Sequence, residues 1–419
     1  MRELLEGSQA VARVVAHCRP EVVCAYPITP QTHIVEGVSR IVRSGKLEHC
    51  EVVNVESEFA AMSVAIGASA TGARSYTATA SQGLLYMAEA LFNAAGLGLP
   101  IVMTLANRAI GAPINIWNDH SDSMSMRDCG WIQLYAADNQ EAVDLHVQAF
   151  RIAEELSTPV MVCMDGFVLT HAFEPLDVPD QSSVDAFLPP FDPQQVLDPD
   201  EPMTIGAMVG PEAFTEVRYL AHVKQMRALD LIPRVATEFE ERFGRPAGGL
   251  MRGYRIDDAE TIVIALGSVL GTIAEVVDEL RDDGIRIGSL ALGSFRPFPL
   301  AELRAALADA KRVIVLERAF AVGVGGIVSA DVRSALAALP VTMHTVIAGL
   351  GGRAITRRAL RALFADAAAG RLGEELRFLD LRTDVVEREL ERAATDKGRP
   401  GPHAEAILRE LGIVAGGPV

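Results

Sequence analysis

EVVCAYPITPQTHIVEGVSRIV, residues 21–42, sets an apolar run, a proline-bracketed turn and a helically spaced run end to end. EVVCAY reads as a strand, and QTHIVEGVSRIVRSG (31–45) reads as a helix. Pro27 and Pro30 are unfavourable inside a central strand or a helix interior, so they mark the joint. There they hold the backbone extended and stop the helix from starting early. A strand, a stiff turn and a helix make the first half of a βαβ unit, and the same grammar then repeats. CEVVNV precedes SEFAAMSVAIGASATG, SYTATA precedes SQGLLYMAEALFNAAGLG, and PIVMTLA precedes a loop rich in Asn, Asp and Ser. The helix NQEAVDLHVQAFRIAEELS and the strand PVMVCM close the series. Apolar strands alternating with helices predict an α/β fold with a doubly wound, mostly parallel sheet. Ligands of such sheets lie beyond the carboxyl ends of the strands.

Further on, residues 172–203 hold seven prolines and many acids and read as an extended crossing segment. Residues 211–243 read as helical. TIVIALGS (261–268) opens a second α/β unit that runs through IRIGSLAL, the turn FRPFP, RVIVLER and VTMHTVIAGLGG. The tail beyond about 380 is a charged helix. Two domains are therefore expected, 1–250 and 251–419. GVGG (323–326) and GLGG (349–352) miss the dinucleotide spacing and read as tight turns.

The bulk numbers exclude several classes. Of 419 residues 49% are apolar, too many for a disordered chain. A formal charge of −17 repels nucleic acid and anionic membrane. No apolar run reaches the roughly 20 residues of a membrane span, and the first residues lack a signal layout, so a cytoplasmic protein is expected. The five cysteines, at 18, 24, 50, 129 and 163, are too scattered for a zinc or iron–sulfur site and read as buried free thiols.

Candidate chemistry gathers at three strand ends. Thr29 sits in the YPITP turn. Glu56 and Glu58 flank Ser57 at the next joint, where one acid satisfies the helix dipole but two are not needed. Glu58 faces small apolar residues, so it is expected to be partly desolvated. Asn107 and Arg108 follow the strand IVMTLA, where an arginine can grip a carboxylate with two parallel hydrogen bonds. Ile114, Ile116 and Trp117 could line a small pocket beside it, and His120 reads as a structural hydrogen-bonding residue. No nucleophile elbow and no metal motif is present, so the reagent is expected to be a cofactor.

AYPITPQTHIVE, VESEFAAMSVAIGASATGAR, TATASQGLLYM, ANRAIGAPINIWNDHSDSM, VMVCMDGFVLTH, FRPFP and GLGGRAIT together resemble the alpha subunit of 2-oxoacid:ferredoxin oxidoreductases, the pyruvate type above all. The resemblance spans nearly the whole chain. It implies a thiamine-diphosphate-binding domain of the pyrimidine type and a second domain like the transketolase C-terminal one. It also implies oxidative decarboxylation of a 2-oxo acid to acyl-CoA, coenzyme A being the co-substrate. Electrons would pass through [4Fe–4S] clusters to ferredoxin or another acceptor. By the same resemblance Glu58 binds the pyrimidine ring, Pro27 touches the cofactor, Arg108 and Thr29 hold the substrate, and Ile114 and Ile116 wall the pocket. MDGF lacks the first glycine of the family's GDG magnesium motif. Magnesium and the proximal cluster are therefore expected in a beta subunit, with gamma and ferredoxin-like delta subunits completing the complex. Phe59 and Ala60 stand where pyruvate-type members carry His and Ser, which keeps branched-chain and aryl 2-oxo acids open as substrates. A transketolase-like carboligase and a non-catalytic scaffold are the alternatives of other classes.

Overall fold

A computed structural model describes residues 2–337, 339–373, 376–395 and 401–413. The chain opens with β1 (Glu3–Glu6), α1 (Gly7–His17), β2 (Val22–Ala25), α2 (Thr32–Arg43), β3 (Glu51–Asn54) and α3 (Glu58–Ala70). It goes on through β4 (Ser75–Thr79), α4 (Ser81–Tyr86), α5 (Ala88–Leu97), β5 (Val102–Asn107), α6 (Ser121–Ser125) and β6 (Ile132–Tyr135). Next come α7 (Asn139–Leu156), β7 (Val160–Asp165), β8 (Phe173–Leu176), α8 (Gln181–Phe187) and α9 (Phe214–Phe243). The later part holds β9 (Met251–Tyr254), β10 (Thr261–Ala265), α10 (Val269–Asp282), β11 (Ile287–Leu292), β12 (Ser294–Arg296) and α11 (Leu300–Ala306). It ends in β13 (Arg312–Glu317), α12 (Val328–Leu336), β14 (Thr342–Ile347) and α13 (Arg357–Ala368).

The first sheet has seven strands in the order β12-β6-β7-β5-β4-β2-β3. All pairs are parallel except β12 on β6. The central strands β4, β5 and β7 are buried at every position, as strands covered on both faces are, although β4 carries the buried hydroxyls of Ser75, Thr77 and Thr79. β2 and β4 are neighbours, yet β2 leads outward to β3 while β4 leads the other way to β5. The chain therefore reverses direction between them, which makes the crevice beyond their carboxyl ends the switch point of the sheet.

The second sheet includes, side by side, β14-β13-β10-β11-β9, parallel except for β9 on β11. Its reversal lies between β10 and β13. One apolar core joins the two sheets: Met62, Leu84, Leu91 and Trp131 of the first pack in the same cluster as Ile264, Leu292, Phe295 and Val313. A second core lies on the opposite face of the first sheet, around α1, α2, α7 and α9.

Two compact units result, Met1–Arg377 and Phe378–Val419. In the smaller one, α14 (Thr383–Thr395) and α15 (His403–Glu410) are joined by a 2.9 Å bond between His403 and Glu389.

Several elements go beyond the sequence reading. The stretch read as an extended crossing segment holds β8, which pairs with β1, and the helix α8. Asp180 caps α8 by accepting the Ser183 amide at 2.9 Å, and Val184 and Phe187 are buried. Ser294–Arg296, overlapping the start of FRPFP, form β12 and extend the first sheet, so the later half of the chain supplies a strand to the earlier one. All five cysteines are buried and free. Among the described residues no helix is long and apolar enough to cross a membrane.

Candidate active site

The turn after β2 is fixed from beneath by a buried glutamine. Gln31 accepts the Ile28 amide at 3.2 Å and donates to the Ala78 carbonyl of β4 at 2.7 Å, bridging the switch point. Pro30 lies on Gly166, where a Cβ would fall 2.6 Å from the proline ring and 2.5 Å from the Asn107 carbonyl; only glycine fits. Pro27 and Thr29 are exposed.

Arg108 is the cation of this crevice, and only 6% of it is exposed. Its Nε donates to the Asn115 carbonyl at 3.1 Å and its Nη1 to the Thr29 carbonyl at 2.8 Å. No carboxylate salt-bridges it among the described residues, and Nη2 is uncommitted. Burial pushes the guanidinium down from its ordinary value, partly offset by the charge of Asp122. A buried guanidinium held only by carbonyls is arranged to receive an anion. The turn meets it through the backbone carbonyl of Thr29 and not through the hydroxyl.

Glu58 begins α3, where Ser57 caps the helix by accepting the Ala60 amide at 3.2 Å. Glu58 is 8% exposed, and its carboxylate has no hydrogen-bond partner among the described residues. It lies over the first turn of α4: a Cβ on Gly83 would fall 2.8 Å from Glu58 Oε1 and 2.4 Å from Thr79 Oγ1. Glycine is poor in a helix interior, and here it clears room for a carboxylate. Glu56 is exposed.

Asn107 is fully buried and turned away from the crevice, its amide donating to Asp122 at 2.9 Å and to Ser123 at 3.0 Å. Ile114 is 78% exposed, Ile116 41% and Trp117 52%. They lie on a loop tied to the second sheet by Asn115, whose amide donates to the Gly351 carbonyl at 3.2 Å. Trp117 packs against Phe167 with ring centroids 4.7 Å apart and the rings tilted at 45°. His120 is buried and bonds Asp165 at 2.8 Å. The same carboxylate takes Arg318 Nη1 at 2.6 Å and the Ser268 amide at 2.8 Å. Burial alone would raise Asp165, but Arg318 and His120 hold it well below the usual carboxylate range.

Thr29 and Arg108 thus meet directly, while Glu58 stands across the first turn of α4. Sequence reasoning missed Gln31, Ser81, Gly83 and Asp122. Gly83 alone left a signal, as a glycine two residues into a predicted helix. Among the described residues, Glu6, His33 and His171 form the one group whose ligand atoms could share a metal ion, all within 4.8 Å of one another.

Comparison with known proteins gives one consistent result. Residues 13–236 match the thiamine-diphosphate-binding domain model of pyruvate flavodoxin/ferredoxin oxidoreductases, and residues 259–360 match core domain II of pyruvate:ferredoxin oxidoreductase. A pyruvate synthase subunit PorA of Methanosarcina barkeri is 48% identical, covering 91% of this chain and 97% of that one. A ketoisovalerate oxidoreductase subunit VorA of Pyrococcus horikoshii is 39% identical, covering 91% of this chain and 98% of its own. In fold, the chain is similar to the solved 2-oxoglutarate:ferredoxin oxidoreductase of Magnetococcus marinus, with a TM-score of 0.66 at 20% identity. That match covers 88% of this chain and spans 65% of the solved one. The chain belongs to the pyruvate flavodoxin/ferredoxin oxidoreductase family.

Proposed function

We propose that this chain is the alpha subunit of a thiamine-diphosphate-dependent 2-oxoacid:ferredoxin oxidoreductase, which converts pyruvate or a close relative and coenzyme A to acyl-CoA and carbon dioxide. The observation that carries this is a pair of buried ionisable groups at one crevice, Glu58 and Arg108, neither with a salt-bridge partner among the described residues. The crevice suits the aminopyrimidine end of the cofactor: a carboxylate without a partner lies over a glycine whose Cβ would fill the space. When bound, thiamine diphosphate supplies a nucleophilic carbon for the 2-oxo group and a sink for the electrons left as carbon dioxide departs. Glu58 holds a proton at the pyrimidine nitrogen. Arg108 turns its free Nη2 edge to the substrate carboxylate, and the Thr29 carbonyl fixes that guanidinium in place. Pro27 borders the cofactor, and Ile114, Ile116 and Trp117 shield the acyl side from water.

The chain lacks the means for the rest of the reaction. Its cysteines are buried and scattered, and MDGF spends its aspartate on Arg318, His120 and Ser268. We therefore assign magnesium, the cofactor diphosphate and the proximal [4Fe–4S] cluster to a beta subunit. Gamma and ferredoxin-like delta subunits pass electrons to ferredoxin or another acceptor. The similarity to a ketoisovalerate enzyme favours a second substrate reading, a branched-chain 2-oxo acid. Rates with pyruvate, 2-oxoisovalerate and phenylglyoxylate separate these.

The test of the assignment is Glu58→Ala in the assembled complex. Turnover should fall by about 10²–10⁴-fold, the usual contribution of one positioned acid–base group. Near-normal turnover would refute it.

A further inference from the structure

Asp122 is fully buried in α6, and each of its oxygens accepts two hydrogen bonds. Oδ1 takes the Asn107 side-chain amide at 2.9 Å and the Ser123 backbone amide at 2.8 Å. Oδ2 takes two backbone amides from different strand ends, Arg108 at 2.9 Å after β5 and Ser81 at 3.0 Å after β4. Ser81 has a φ of 49°, a conformation uncommon outside glycine. It is held there by that bond and by its own hydroxyl, which donates to the Ala109 carbonyl at 2.6 Å. Ser81 is also the first residue of α4, whose Gly83 lies under Glu58. A single carboxylate oxygen thus staples the backbone carrying Arg108 to the turn beneath Glu58.

We infer that Asp122 is a positioning residue of the 2-oxo acid reaction, locking Arg108 and the start of α4 into one rigid unit without touching substrate. The inference rests on the reading of Arg108 as the carboxylate clamp. Only an acceptor-only group can serve four N–H donors. An asparagine must turn an NH₂ toward two of them, and either choice breaks a pair. The charged or titratable groups around Asp122 are Arg108 just after β5, Tyr135 from β6 and Cys163 from β7.

The experiment measures kcat and KM of the assembled complex carrying Asp122→Asn, Arg108→Gln, both together, or Ser123→Ala. Ser123→Ala is the structural control: it removes hydroxyl bonds to Asn107 and Tyr135 in the same cluster and should leave KM unchanged. Asp122→Asn should raise KM for the 2-oxo acid about tenfold or more with kcat within about threefold, as expected when an interaction common to ground and transition state is lost. The double variant should be no worse in KM than Arg108→Gln alone. A wild-type KM in Asp122→Asn, or additive effects in the double variant, would overturn the inference while leaving Arg108 as the clamp. A wild-type KM in Arg108→Gln would instead overturn the clamp itself. If Asp122→Asn does not fold, the wild-type pH profile decides. Burial pushes Asp122 up to about 6 against its four donors, so KM should climb as pH falls through that value. A flat profile from pH 5 to 8 overturns the inference.

Discussion

Two strand ends, one in each sheet, carry nearly the same polar pair and put it to different uses. β5 ends at Asn107 and is followed by Arg108; β13 ends at Glu317 and is followed by Arg318. Both stand at or beside the place where their sheet reverses direction. In the second sheet the crevice is filled by the chain itself: Asp165, from the first sheet, takes Arg318 and the amide and hydroxyl of Ser268 before α10. Glu317 is spent as well, accepting the Ile327 and Val328 amides at 2.7 Å each at the start of α12. In the first sheet, among the described residues, the Arg108 guanidinium meets only carbonyls and the Glu58 carboxylate meets no partner. The fold offers two ligand crevices, and internal charge pairing closes one of them. An arginine at a strand end thus reads as a ligand group only once its counter-ion has been sought within the chain.

The strongest way to break the contrast is Arg318→Met. It would leave Asp165 buried without its main cation, and breaking a buried pair costs about 3–5 kcal/mol. His120 and Ser268 remain as partners, so the lower part of that range is expected in denaturant unfolding. A loss below about 1 kcal/mol would show that the second crevice is not closed by charge.

Gly83→Ala sharpens the other side. The added Cβ falls 2.8 Å from Glu58 Oε1, so the carboxylate must move while the fold survives. Displacement of a reacting group by about 1 Å costs on the order of 10²-fold in turnover, measured in the assembled complex. Unchanged turnover would show that the position of Glu58 does not matter.

The smallest effect is a difference in sign with pH. Asp165 is held below its unfolded value, so it stabilises the fold above the ordinary carboxylate range and loses that contribution as pH falls. Asp122 is raised to about 6, so its contribution is present below about 4 and is lost as pH rises through 6. Relative to wild type, Asp122→Asn should therefore gain stability as pH rises from 4 to 7, whereas the deficit of Asp165→Asn should stay constant there and shrink as pH falls below about 4. Thermal unfolding from about pH 2 to 7 reads both, and parallel slopes would contradict the contrast.

Much of this was legible in the sequence, for physical reasons. β5 and β7 are buried on both faces and so read as largely apolar runs, and the prolines at 27 and 30 mark the joint after β2 whatever surrounds them. β1, β6 and β12 were not read, because three or four residues carry too little period. Residue types at strand ends pointed to Thr29, Glu58 and Arg108. Their orientation was not legible: the turn offers Arg108 a carbonyl where a hydroxyl was the natural expectation, and Asn107 faces inward to Asp122. Gln31, Ser81 and Asp122 escaped because their work is tertiary, joining backbone groups from separate strands. The resemblance to a known family supplied the chemistry that spacing alone left open.

The central claim is that the Glu58 carboxylate acts on the pyrimidine ring of a cofactor bound at this crevice. Hydrogen–deuterium exchange at the thiazolium C2 position, followed by NMR in the assembled complex, reports that action before any substrate is added. Glu58→Gln should slow the exchange by about 10²–10⁴-fold with the cofactor still bound. An exchange rate equal to that of the wild type would contradict the account.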